Sequence, residues 1–64
     1  MIVKYKDYTL ICERNEAKEL CYSVFDPTNK EVDCSYRTCQ MSIRQFILKE
    51  LIPIVDDIIA NKEI

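Results

Sequence analysis

The stretch "FILKELIPIVDDIIAN", residues 46–61, decides how this chain folds. Its large aliphatic residues recur every three or four positions, which is the spacing of an amphipathic helix. A capping box precedes it, with Ser42 at the N-cap position and Gln45 three residues later. The pattern therefore predicts one long helix over residues 43–61.

Apolar residues cover more of this helix than a single sheet needs. At about 100° per residue they form two stripes, whereas a helix on a sheet needs one stripe little more than about 100° wide. We assign the first stripe to the chain's own sheet: Ile43, Ile47, Leu51, Ile54 and Ile58. The second stripe predicts an interface with a second copy, or alternatively with a different protein: Leu48, Ile52, Val55 and Ile59. Alternatively, a strongly twisted sheet wraps the helix and buries both stripes.

Pro53 lies on neither stripe. Proline lacks the backbone N–H and its ring clashes with the preceding turn, so it bends a helix around the core from the outer side. We expect a continuous, bent helix, although Pro53 could also end one helix and begin another.

Three segments rich in β-branched and aromatic residues precede the helix, and each reads as a strand. They cover residues 2–14, 19–26 and 31–36. In the turn "DPTNK", residues 26–30, Pro27 presets φ and Asn29 tolerates the left-handed conformation. The order predicts a single α+β domain over residues 1–64, a three-stranded antiparallel meander with one C-terminal helix on one face (β-β-β-α).

The loop lengths predict a strand register. A four-residue loop at 15–18 and a three-residue loop at 27–29 place Cys12 opposite Cys21, and they leave residues 1–6 without a partner. Alternate residues then form the core face: Thr9, Ile11, Leu20, Tyr22, Val24, Val32, Cys34 and Tyr36. On the opposite face we expect a small exposed apolar patch that contributes to protein contacts: Tyr8, Leu10 and Phe25.

The composition argues against several kinds of chemistry. Histidine is absent, which removes the commonest general base and metal ligand. Glycine is absent too, which excludes a glycine-rich phosphate loop. The spacing of the four cysteines is poor for a zinc site, so we interpret them as small hydrophobic residues, with the redox state of Cys12 and Cys21 left open. Cys39, just before the helix, is the one candidate nucleophile. We therefore predict no catalytic residues, no cofactor and no metal.

The charge argues against nucleic acid as the main ligand. The net charge is −2, whereas nucleic-acid binders usually carry a basic surplus. An alternative function is nonetheless a nucleic-acid-binding domain that uses the outer sheet face with Lys4, Lys6, Arg14 and Arg37. No uninterrupted apolar run reaches about 18 residues, so we expect no membrane span, and we expect a cytoplasmic location.

These observations predict a small protein-interaction module without catalytic activity. We expect a homodimer formed through the second helix stripe, acting as a regulator or inhibitor of another, unidentified protein, in the manner of an antitoxin or a phage-encoded inhibitor. A chain of this length buries only about 60% of its unfolded surface, so a partner subunit offers it further apolar burial.

Overall fold

A computed structural model describes residues 1–62 of the chain as one antiparallel sheet with a C-terminal helix on one face. The strands are β1 (Ile2–Tyr5), β2 (Tyr8–Arg14), β3 (Leu20–Phe25) and β4 (Glu31–Arg37), and they lie in the sheet in that order. The predicted α+β class, an antiparallel sheet with one C-terminal helix, is confirmed. The predicted number of strands is wrong, because the sheet has four strands and not three.

The additional strand comes from a tight turn inside the segment predicted as a single strand. Lys6 and Asp7 both have positive φ, 49° and 69°, and Tyr5 lies opposite Tyr8. Two such residues between paired strands form a type I′ hairpin, which glycine or asparagine usually marks in a sequence. Because the turn contains neither residue, the sequence gives no sign of it. Residues 2–5, expected to lack a partner, form the edge strand β1.

The loop between β2 and β3 is one residue shorter than predicted. The Asn15 N–H donates to the Glu19 carbonyl at 3.0 Å, which closes a three-residue loop of Glu16, Ala17 and Lys18. Lys18 has φ 64°, so it holds the left-handed position of this loop. A register change of one residue moves every side chain to the other face. The core residues of β2 are accordingly Tyr8, Leu10 and Cys12, and the predicted Thr9 and Ile11 lie on the outer face.

The turn between β3 and β4 has the predicted loop of residues 27–29. The Asp26 N–H donates to the Lys30 carbonyl at 2.9 Å, and Asn29 takes the left-handed conformation with φ 67°. A β-bulge then shifts the register, so that Val24 faces Asp33 instead of Val32. The three residues of β4 predicted for the core are therefore exposed: Val32, Cys34 and Tyr36.

The helix begins where the capping box predicts. The Ser42 Oγ accepts a hydrogen bond from the Gln45 N–H at 3.2 Å. The helical run is continuous through α1 (Ile43–Phe46), a π-helical segment (Ile47–Leu51) and α2 (Ile52–Lys62).

Pro53 is exposed within this continuous helix, as predicted. The Ile52 N–H, immediately before it, donates to the Ile47 carbonyl five residues back. In a regular α-helix the proline ring would clash with the carbonyl of Lys49. The wider π turn directly before Pro53 is the form in which this helix accommodates the ring.

The core lies between the helix and the inner sheet face. A line of four helical residues is almost fully buried: Phe46, Ile47, Leu51 and Val55. Ile47 and Leu51 belong to the predicted sheet stripe and Val55 to the predicted partner stripe, so the separation of the two stripes is wrong for Val55. Ile52 and Ile59 are half-buried, whereas Leu48 is 58% exposed. Of the nine stripe residues, Ile47, Leu51 and Val55 are thus buried, Leu48 is exposed and the other five are half-buried.

Candidate protein-interaction surface

Strand β1 presents a free backbone edge. Within the described residues β1 pairs with β2 alone. The Cys12 N–H donates to the Met1 carbonyl at 2.9 Å, and the Met1 nitrogen donates back to the Cys12 carbonyl at 2.8 Å. Hydrogen-bonded pairs alternate along an antiparallel ladder, so the backbone amide and carbonyl of Val3 also bond to β2. The amides and carbonyls of Ile2 and Lys4 therefore point away from β2, toward the open edge.

An apolar groove lies between this edge strand and the helix. It has a volume of about 250 Å³, and we call it the β1 groove. Its lining is mainly aliphatic: Met1, Val3, Arg44, Ile47, Leu48 and Ile52. Two of the side chains that line the groove are exposed, Leu48 at 58% and Met1 at 45%. The groove therefore leaves apolar surface in water beside unpaired backbone groups.

A polar cluster holds the helix to the far end of β1. The Tyr5 hydroxyl donates to Asp56 Oδ1 at 3.0 Å, and Lys6 Nζ donates to the same oxygen at 3.1 Å. The hydrogen bonds from Lys6 and then Tyr5 lower the pKa of the Asp56 carboxyl. The Asp56 carboxylate in turn raises the pKa of Lys6. Both groups are charged at neutral pH, so the helix edge along β1 begins with the positive Arg44 and ends with the ion pair of Asp56 and Lys6.

The outer face of the sheet differs from the expected one. Tyr8 and Leu10 are 3% and 0% exposed in the core, so the predicted exposed patch is wrong for both. Phe25, the third predicted member, lies opposite Thr9 on the outer face and is half-buried. The core assignment of Tyr8 and Leu10 follows from the three-residue loop, which exchanges the two faces of β2.

The cysteines do not meet as the predicted register required. Cys12 lies opposite Tyr22 with its side chain in the core, where burial raises the pKa of its thiol. Cys21 lies opposite Glu13 on the other face. All four cysteines are free thiols. No group of three or more cysteine or carboxylate side chains in residues 1–62 is arranged to hold a metal ion.

Cys39 lines a second, open hollow of about 500 Å³ near the start of the helix. The hollow also contains Arg14, Lys18 and Thr38, and none of its lining residues in the described chain carries a carboxylate. The Arg14 guanidinium is directed at backbone carbonyls, including that of Cys39 at 3.4 Å. No histidine can serve as a base for the Cys39 thiol, since the sequence has none.

The basic residues of the nucleic-acid alternative do not form one patch. Lys4 lies on the outer face opposite Thr9, whereas Lys6 bonds to Asp56 at the turn. Arg14 and Arg37 both lie opposite Leu20, on the face that carries the helix. The expected set is therefore divided between two faces and a turn, and the geometry does not favour a nucleic-acid interface there.

No helix among residues 1–62 is both long enough and apolar enough to cross a membrane.

The β1 groove is the candidate site, because it combines a free strand edge with exposed aliphatic side chains. Comparison with known proteins assigns no relative to the chain: no family model, no curated protein and no solved structure matches it.

Proposed function

We propose that this chain is a small protein-interaction module without catalytic activity, that it forms a homodimer, and that it acts on another protein as a regulator or inhibitor. The observation that supports this most directly is the β1 groove, where aliphatic side chains lie exposed beside a free strand edge. Exposed apolar surface next to unpaired backbone groups is typical of a protein contact.

The energetics favour a partner for this surface. Burying a large aliphatic side chain contributes about 1.5–3 kcal/mol relative to leaving it in water. A domain of this size has a free energy of unfolding near the lower end of about 5–15 kcal/mol. Covering Leu48 and Met1 would therefore add a substantial fraction of the stability that the isolated chain can reach.

The proposed contact differs in part from the stripe predicted from sequence. Leu48 and Ile52 line the β1 groove, so they remain proposed contacts. Ile59 is half-buried about two turns beyond Ile52 and lies at the margin. Val55 is fully buried against the sheet and supports the surface from below. Met1 and Val3 join the contact, which sequence reasoning missed because the predicted register left residues 1–6 without a partner strand.

The experiment that tests the homodimer is solution mass by sedimentation equilibrium over a range of micromolar concentrations. We expect the wild-type chain to reach a dimer and Leu48→Asp to remain a monomer with an unchanged circular dichroism spectrum. Ala60→Asp is the matched control, since it places the same new charge at an exposed position on the same helix. Its mass should equal that of the wild type. A wild-type monomer at high micromolar concentration would contradict the homodimer.

The non-catalytic part of the proposal has its own test. Thiol-reactive probes label thiolates, so an activated cysteine reacts faster than an ordinary exposed one. Cys34 is exposed, and the neighbouring Glu31 side chain raises the pKa of its thiol. We expect Cys39, which is half-buried, to react no faster than Cys34 in peptide-resolved labelling. Selective, rapid labelling of Cys39 would argue for a catalytic thiol instead.

A further inference from the structure

We propose that the second copy docks strand to strand along β1, in an antiparallel register centred on Val3. The inference rests on the proposed homodimer and states how it is assembled. It joins the two four-stranded sheets edge to edge and brings the β1 grooves of the two copies together.

The backbone of β1 supports this register. Ile2 and Lys4 direct their amides and carbonyls toward the open edge, because the ladder to β2 uses Met1 and Val3. A two-fold axis beside Val3 places Ile2 of one copy opposite Lys4 of the other. Each such pair exchanges two hydrogen bonds, and the symmetry supplies the pair twice. All outward backbone groups of Ile2 and Lys4 are then satisfied.

The side chains of β1 suit the same register. Val3 lies opposite Leu10, so it faces the helix side, and the two Val3 side chains would meet in the floor of the combined groove. Lys4 lies opposite Thr9 on the outer face. The register places Lys4 opposite Ile2 of the second copy and not opposite a second lysine. The ammonium group therefore stays in solvent, and no like charges oppose each other across the strands.

The charges along the helix make this surface complementary to itself. Arg44 lies in the β1 groove with Met1, and the Asp56 carboxylate bonds to Tyr5 and Lys6, so the helix edge runs from a cation to an ion pair in the direction of β1. A two-fold axis reverses that direction in the second copy. Arg44 of each copy then lies toward Asp56 of the other, with the exposed Leu48 side chains between them. Complementary charges of this kind select the partner and fix its orientation.

Charge exchange between copies tests the proposed orientation. Arg44→Asp opposes its new carboxylate to that of Asp56, and Asp56→Arg opposes two guanidinium groups beside Lys6, so each variant alone should dimerise about tenfold or more weakly than the wild type. An equimolar mixture pairs unlike ends at both positions. We expect the mixture to form a heterodimer in native mass spectrometry at a concentration where each variant alone is monomeric. Circular dichroism checks that Asp56→Arg, which loses its contacts with Tyr5 and Lys6, remains folded.

A second variant tests strand pairing without touching the helix. Lys4→Pro removes an N–H that points outward, so it blocks an added strand and leaves the ladder to β2 intact. We expect it to be a folded monomer, whereas Lys4→Ala should dimerise like the wild type. If Lys4→Pro dimerises normally and the mixed charge variants give no heterodimer, β1 pairing is wrong while the homodimer stands. If the wild type is a monomer, both proposals are wrong.

Discussion

The Arg14 Nη2 group donates a hydrogen bond of 2.7 Å to the carbonyl of Met41, a residue 27 positions later in the chain. The Nη1 group of the same side chain donates to the Lys18 carbonyl at 2.8 Å. One guanidinium thus connects the β2–β3 loop to the segment that leads into the helix. Since Ser42 caps the helix immediately after Met41, Arg14 helps to set where the helix begins relative to the sheet.

Replacing Arg14 should therefore destabilise the fold. Arg14→Met keeps an unbranched side chain but removes the donors, and we expect a loss of about 1 kcal/mol in the free energy of unfolding. Urea denaturation measures the change. Arg37→Met is the matched control, because the Arg37 guanidinium donates to the carbonyl of the adjacent Tyr36 and joins no distant segments. Equal effects of the two variants would contradict the role assigned to Arg14.

Lys18 occupies a left-handed backbone conformation with φ 64°. A residue with a Cβ pays about 1–2 kcal/mol there, and glycine avoids this cost while losing somewhat more entropy on folding. We expect Lys18→Gly to raise the free energy of unfolding by up to about 1 kcal/mol. Ala17→Gly, in the same loop, gains no such relief and should be neutral or destabilising. A stability loss with Lys18→Gly would count against the three-residue loop.

The strand register predicts opposite outcomes for two neighbouring residues of β2. Leu10 is fully buried, so Leu10→Ala should cost about 2–5 kcal/mol of stability through lost burial and the cavity that remains. Ile11 lies on the outer face and is half-buried, so Ile11→Ala should cost distinctly less. Thermal and denaturant unfolding of both variants would decide between the faces. A larger loss of stability for Ile11→Ala than for Leu10→Ala would instead support the register expected from a four-residue loop.

Asp26 makes stability depend on pH. Its carboxylate accepts hydrogen bonds from the Thr28 hydroxyl at 2.6 Å and from the Thr28 and Lys30 amides at 2.9 Å each. These hydrogen bonds lower the pKa of Asp26 in the folded state, and the bond from the Thr28 side chain contributes most. A carboxyl with a lower folded pKa stabilises the fold above its unfolded pKa of about 3.9. That stability is lost as the pH falls through the folded pKa.

The measurement is denaturant unfolding at several pH values from neutral to about pH 2. Asp26→Asn keeps an acceptor oxygen but has no proton to gain, so its stability should fall less steeply below about pH 4 than that of the wild type. Asp57→Asn, at an exposed position on α2, should leave the acid dependence in place. An unchanged slope for Asp26→Asn would show that other carboxyl groups cause the acid loss.

Local signals predicted the parts of the fold that depend on a few adjacent residues. Ser42 caps the helix, Pro53 lies on its exposed side, and Asn29 takes the left-handed position of a three-residue loop. Each of these follows from steric and hydrogen-bonding preferences of the backbone within one turn. The sequence predicted Leu48 and Ile52 as contact residues but not the β1 groove, because no glycine or asparagine marks the turn at Lys6 and Asp7 that separates β1 from β2.

The sequence by itself determined the α+β class, the long C-terminal helix and the turn before β4, since apolar periodicity and turn chemistry act locally. Tertiary structure alone decided the fourth strand and the face that β2 buries. Lys6, Asp7 and Lys18 hold left-handed positions that glycine would have marked. Both faces of β2 carry apolar residues, so alternation could not choose between them. Packing determines which face is buried, because only one register closes the three-residue loop and also places Leu10 and Val24 together beneath the helix.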